Sequence, residues 1–217
     1  MTGYADLLLL AVLALDLYVV YTSRLAACIR ASALQGAALA LLPVAHYLEN
    51  PSVHLTHVLI MAAGALVLKA IFIPGLLMRA LRGANVRRDV EPFVSLHLSV
   101  LLAGVLVGIS FWLASVLALP AAGNARLFVP TAFATFLIGF FMLVSRRKAI
   151  TQVIGYLLIE NGAYVFGQSL AAQMPFIVEL GLLLDLLVGV FVMGIVILQI
   201  NREFDSIDVD QLNLLKG

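Results

Sequence analysis

Seven apolar runs, each close to the length that crosses a lipid bilayer, follow one another from Tyr4 to Ile200 with only short polar breaks between them. Crossing takes about 20 consecutive apolar residues in a helix. A helix also satisfies its own backbone hydrogen bonds where no water can. The expected spans are 4–22, 31–48, 54–80, 95–119, 127–145, 149–172 and 175–200. The second is the shortest and carries Pro43 inside it. The breaks have turn chemistry: Glu49-Asn50-Pro51, the stretch from Pro120 to Asn124, and Gln173-Met174-Pro175. With 63% of the residues hydrophobic and only 12% charged, no stretch remains for a sizeable soluble domain. The expected fold is therefore all-α: a membrane protein of about seven transmembrane helices. The first run has no basic segment before it and carries Asp6, so it reads as a retained helix rather than a cleaved leader.

Orientation follows from the basic residues in the connections. With the N-terminus outside, the inner connections hold Arg24 and Arg30, then Arg79, Arg82, Arg87 and Arg88, then Arg146, Arg147 and Lys148. The C-terminal tail adds Arg202 and Lys216, so eleven of the thirteen Lys and Arg fall on the cytoplasmic side. Arg126 stays outside, and Lys69 lies within the third span. The connection 82–94 is the longest and divides the chain into an N-terminal set of helices, 1–94, and a C-terminal set, 95–217.

An ionised group at mid-bilayer costs about 2.5–3.5 kcal/mol on insertion scales, and such groups commonly mark ion or proton paths. Asp16, Lys69, Glu160 and Asp185 all fall inside spans, and Glu179 falls nearer an end. The last two spans form a hairpin that turns near Met174. At 1.5 Å per residue, Glu160 lies about 21 Å from that turn, Asp185 about 16 Å and Glu179 about 7 Å. Glu160 and Asp185 thus share a depth, where a low dielectric disfavours the charged carboxylate and lets it exchange a proton. Lys69 precedes Pro74 by five residues, and Pro74 can kink the helix and free a carbonyl. Asp16 falls at a comparable depth, so an Asp16–Lys69 ion pair is one expectation. Structural ion pairing or snorkelling of Lys69 is the competing one.

Other candidates are weaker. His46, His54 and His57 gather near the outer ends of the second and third spans, with Glu49 the only nearby acid. Interfacial hydrogen bonding suits them better than a metal. His97 opens the fourth span as a solvated group. The single cysteine, Cys28, excludes a disulfide framework and reads as a buried apolar residue. Gly155 and Gly162 share one helix face and suit close helix packing. No phosphate-binding loop, GxSxG, HExxH or CxxC motif is present, so nothing in the sequence points to redox chemistry or ATP hydrolysis by the chain itself.

The segment from Ser145 to Leu170 contains Ser145-Arg146-Arg147-Lys148, then Gln152, Gly155, Tyr156, Glu160, Asn161 and Gly162 in a QVxGYxxxENG pattern. Acids follow in the last span, and the tail runs from Ile207-Asp208-Val209 to Lys216-Gly217. This stretch resembles the membrane-embedded component E of hydrogenase-4 and related formate hydrogenlyase complexes. The last three helices, about 127–200, are in turn similar to the small K subunit of respiratory complex I and to the small C component of multisubunit Na+/H+ antiporters. Lys69 with Pro74 extends the resemblance upstream, and the overall length agrees with it.

The resemblance implies a non-catalytic subunit of a proton-translocating membrane arm in the cytoplasmic (inner) membrane. Glu160 would correspond to the first of the two membrane glutamates in the K subunit. Asp185 lies within about one turn of the second, and Glu179 lies farther away. Glu160, Asp185, Lys69, Glu179 and Asp16 are the expected proton-path residues. The chain itself would bind no cofactor. Nickel–iron and iron–sulfur centres would belong to partner subunits, and antiporter-like membrane subunits would be neighbours. The acidic tail, with Asp205, Asp208 and Asp210, would dock on those partners. A multisubunit cation/proton antiporter and a purely structural scaffold of the arm are the alternatives.

Overall fold

The computed structural model describes residues 3–49, 55–83, 94–117 and 127–170, together with the isolated helical residues Leu187, Gly189 and Gly194. Every element among them is helical: α1 (Tyr4–Tyr21), α2 (Leu25–Glu49), α3 (Leu55–Ala65), a π-helical segment (Leu66–Phe72), α4 (Ile73–Gly83), α5 (Leu96–Leu117), α6 (Phe128–Ser145) and α7 (Ala149–Leu170). The stretch Leu55–Arg82 runs as one span through α3, the π segment and α4. Five spans, Tyr4–Tyr21, Leu25–Leu48, Leu55–Arg82, Leu96–Leu117 and Phe128–Ser145, are long and apolar enough to cross a membrane. α7 has 22 residues, long enough by the same measure, but carries Gln152, Glu160, Asn161 and Gln168. The expected seventh span falls almost wholly outside the described residues, and with it Glu179 and Asp185.

The second helix starts six residues earlier than expected, at Leu25 rather than at position 31. Arg30, whose charge suggests a connection, lies instead inside α2, exposed on its surface. Arginine and the alanines around it are strong helix formers, so the turn between α1 and α2 needs only Thr22, Ser23 and Arg24. Pro43 is accommodated within α2 without ending it.

Ahead of Pro74 the helix does not simply kink. It widens into the π segment, where the Ile73 N–H bonds to the Leu68 carbonyl, five residues back. A proline removes the donor that would bond four residues back. Such single-turn π stretches relieve the mismatch and often occur at functional sites. Lys69 sits at the centre of this segment and is buried.

The helices alternate in direction, and the apolar core falls into two layers. At one end Val19 and Val20 of α1 meet Leu25 and Cys28 of α2, Leu77 and Leu81 of α4, Met142 of α6 and Ile150 of α7. At the other, Leu9 of α1, Leu39 and Leu42 of α2, Phe128 and Ala132 of α6 and Val165 of α7 pack together. All described arginines belong to the first end: Arg24, Arg30, Arg79, Arg82, Arg146 and Arg147. This gathering matches the charge partition read from the sequence. Arg146, however, is not a solvated loop residue. It is fully buried, its Nη2 donates to the Val20 carbonyl at 2.9 Å, and its Nε lies 3.4 Å from Met142 Sδ. A cation at a helix C-terminus answers the carbonyls left over there, so Arg146 ties the end of α6 to the end of α1.

α6 and α7 approach until backbones touch. A Cβ on Gly155 would lie 2.8 Å from Leu143 N, and one on Gly162 would lie 2.8 Å from Phe136 N. Gly139 supplies the reciprocal notch, 2.6 Å from Ile159 N. The expected packing role of Gly155 and Gly162 therefore holds, and Gly139 completes it. α5 leans on α6 and α1, and among the described spans it is the least buried, at 11%.

A buried charged cluster at mid-span

Polar and charged side chains from five spans converge between the two apolar layers. Lys69 lies midway along Leu55–Gly83, about 21 Å from either end. Glu160 and Asn161 lie at the middle of α7, Gln35 about 15 Å into α2, and Asp16 about 8 Å before the end of α1. Gly36 makes the approach possible. A Cβ there would fall 2.6 Å from the Lys69 carbonyl oxygen, so α2 and the π segment meet backbone to backbone.

The hydrogen bonds form one continuous line. Lys69 Nζ donates to Glu160 Oε1, forming a buried salt bridge whose side chains are 3% and 4% exposed. The same ammonium donates to Asn161 Oδ1 at 3.1 Å. Asn161 Nδ2 donates to Gln35 Oε1 at 3.1 Å, and Gln35 Nε2 donates to Asp16 Oδ1 at 2.8 Å. Thr135 of α6 closes the line, its hydroxyl donating to Asp16 Oδ2 at 2.6 Å. The ring of Tyr164, one turn beyond Glu160, stands 5.0 Å from Lys69 Nζ, within cation–π range. Each amide accepts on its Lys69 side and donates on its Asp16 side, so the dipoles align from cation to distant carboxylate.

The direct Asp16–Lys69 pair does not form. Glu160 takes the ammonium instead, and two amides intervene between it and Asp16. Asp16 lies nearer the basic end than Lys69, and Asn161 and Gln35 bridge the distance between them. Both residues are nonetheless members of one cluster, as is Glu160. Gln35 and Thr135 join them without having been expected, and Asn161 gains a role that its motif alone does not assign. The signal available in the sequence was depth: each is a polar residue near the middle of an apolar span. Of the remaining candidates, His46 is half-buried, His57 and His97 are exposed, and His54 and the Glu49 side chain lie outside the described residues. Cys28 is buried, its thiol 3.9 Å from the Val19 carbonyl.

A cavity of about 10 Å³ adjoins the salt bridge, lined by Ser32, Lys69, Ile73, Leu157, Glu160 and Asn161. That is near the space a single water needs, and the lining is polar enough to hold one. A Cβ on Gly189 would lie 4.0 Å from Ile73 Cγ1. Toward the end opposite the arginines, Gln168 follows Tyr164 by one turn and is buried, as is Thr131, one turn before Thr135. Among the described residues, Gln168 Nε2 and Thr131 Oγ1 have no hydrogen-bond partner.

The chain is similar to the uncharacterized protein Rv0085 of Mycobacterium tuberculosis, 34% identical over 91% of this chain and 89% of that protein. It is also similar to hydrogenase-4 component E of Escherichia coli K12, 30% identical over 73% of this chain and 74% of the relative. Residues 127–217 match the family described as NADH-ubiquinone/plastoquinone oxidoreductase chain 4L. No solved structure matches the chain. The chain belongs to the hydrogenase-4 component E family.

Proposed function

We propose that this protein is a non-catalytic membrane subunit of an energy-converting hydrogenase or formate hydrogenlyase-type complex, and that it moves protons through the buried cluster. The observation that carries this reading is the unbroken line from Glu160 through Lys69, Asn161 and Gln35 to Asp16. The cluster holds one base and two acids, Lys69 against Glu160 and Asp16. With all three ionised it has a net charge of one negative. It becomes neutral on taking up one proton, and a low-dielectric interior strongly favours neutrality. A proton-holding cluster at mid-membrane is the element a relay requires.

The two amides do not carry a proton readily, but their aligned dipoles let Asp16 feel the state of the salt bridge. When Glu160 takes the proton, Lys69 loses its direct counter-ion and leans on Asn161 and the Tyr164 ring, and the Asp16 carboxylate remains as the cluster's one anion, linked to Lys69 through the two amides. The cavity beside Ser32 is the proposed resting place for a water that hands the proton to Glu160. Tyr164, Gln168 and Thr131 offer polar stepping stones toward the other face. Asp185 precedes Gly189 by four residues in the sequence, and a Cβ on Gly189 would come within 4.0 Å of Ile73, one of the residues that line the cavity. Asp185 is the proposed continuation of the path into the seventh helix, with Glu179 nearer the outer water.

Seven spans in all, with the N-terminus outside and the basic end in the cytoplasm, complete the proposal. Redox centres would sit in partner subunits on the cytoplasmic side. Affinity purification of the tagged protein from its native membrane, followed by mass spectrometry, tests this assignment. Nickel–iron and iron–sulfur subunits are expected in the eluate beside antiporter-like membrane proteins. An eluate holding antiporter-like subunits alone would assign the protein to a cation/proton antiporter instead.

A further inference from the structure

A second site lies outside the cluster, on the surface of α1 and α2 at the basic end. A groove of about 660 Å³ runs there between Arg24 and Arg30 above and Leu15, Tyr18, Ala31 and Leu34 along its walls. Both arginines are exposed, and neither forms an ion pair among the described residues. Arg30 lies about 8 Å along α2 from its start, and Tyr18 about 5 Å before the end of α1. Both therefore fall in the interfacial layer of a bilayer rather than in open water. An outward-facing guanidinium at that depth needs either to reach the headgroups or to meet an anion.

We propose that this groove binds an anionic phospholipid. The phosphodiester would be clasped by Arg24 and Arg30, whose planar guanidiniums match phosphate oxygens in bidentate fashion. Tyr18, 47% exposed, offers an aromatic ring and a hydroxyl at headgroup level. One acyl chain would lie along the small, apolar wall of Ala31, Leu15 and Leu34. Charge complementarity favours an anionic headgroup, and the apolar floor below it favours a lipid over a free ion. The site shares its turn with the Thr22–Arg24 connection, so an occupied groove would brace the α1–α2 hairpin that carries Asp16 and Gln35.

Native mass spectrometry of the full-length protein in detergent, titrated with phosphatidylglycerol, phosphatidylcholine or inorganic phosphate, tests this. Phosphatidylglycerol adducts are expected to survive, with phosphatidylcholine and phosphate adducts much weaker. Retention in the Arg24→Gln/Arg30→Gln double variant should fall about thirtyfold, the scale of two arginines at an anionic surface. Equal retention of the two lipids, or an unchanged double variant, would overturn the proposal. Should the variant fail to fold, a photo-crosslinker at position 34 in native membranes gives an independent reading. Crosslinks to phospholipid support the site, and crosslinks to a protein subunit refute it.

Discussion

Replacing Lys69 with methionine is expected to destabilise the protein severely, and adding Glu160→Gln to the same chain is expected to restore most of the loss. The salt bridge is almost sealed from solvent, so each charge depends on the other. Removing one member of a buried pair costs about 3–5 kcal/mol, because the survivor remains buried and uncompensated. Replacing both removes the desolvation of both, which is often close to neutral. The single Lys69→Met change also takes a donor from Asn161 Oδ1 and leaves the cluster with two acids and no base. Thermal unfolding in detergent, monitored by size exclusion, reads the cycle. Lys69→Met should melt well below the wild type, Glu160→Gln much less so because glutamine still offers Lys69 an oxygen, and the double variant near the wild type. Additive losses would mean that the two side chains act apart.

Gly162→Leu is expected to abolish the folded protein, whereas Gly104→Leu and Gly108→Leu should be tolerated. At Gly162 the first added carbon already lies 2.8 Å from Phe136 N and 2.9 Å from the Ala132 carbonyl, and backbone atoms cannot step aside as a side chain can. Overpacking a fitted interface costs about 1–3 kcal/mol or more. Here it would also force α6 away from α7. Thr135 rides on α6, while Glu160 and Asn161 ride on α7, so the cluster would lose its register with the helices. Among the described residues, nothing lies within 4 Å of a Cβ at Gly104 or Gly108 of α5. The yield of monodisperse protein after extraction measures the contrast, and equal yields for Gly162→Leu and Gly104→Leu would contradict the packing described.

Hydropathy alone locates the described spans, because each apolar run is bounded by charge or by proline and glycine. It places the start of α2 too late, since a lone arginine in an alanine-rich stretch reads as a boundary while it functions as an interfacial helix residue. The charged members of the cluster are legible for a thermodynamic reason: an acid or a lysine in an apolar run demands an explanation. Their partnership is not. Lys69 could have met Asp16 or Glu160, and the choice depends on the contact of Gly36 with the π segment, a three-dimensional fact. Gln35, Thr135 and Asn161 stay silent because amides and hydroxyls in spans are common. Arg146 misleads for the opposite reason: three basic residues in a row suggest water, yet the first of them is buried as a cap on α1.

The central claim is that the Lys69–Glu160 pair passes protons rather than merely holding helices together. Proton translocation coupled to redox turnover, measured in inverted membrane vesicles carrying the assembled complex with Glu160→Gln, tests it most directly. Glutamine keeps the shape and a hydrogen-bonding oxygen for Lys69 but cannot release a proton. The account predicts an intact complex whose protons translocated per electron fall sharply. An assembled complex with the wild-type ratio would contradict it and leave the cluster a structural fastening.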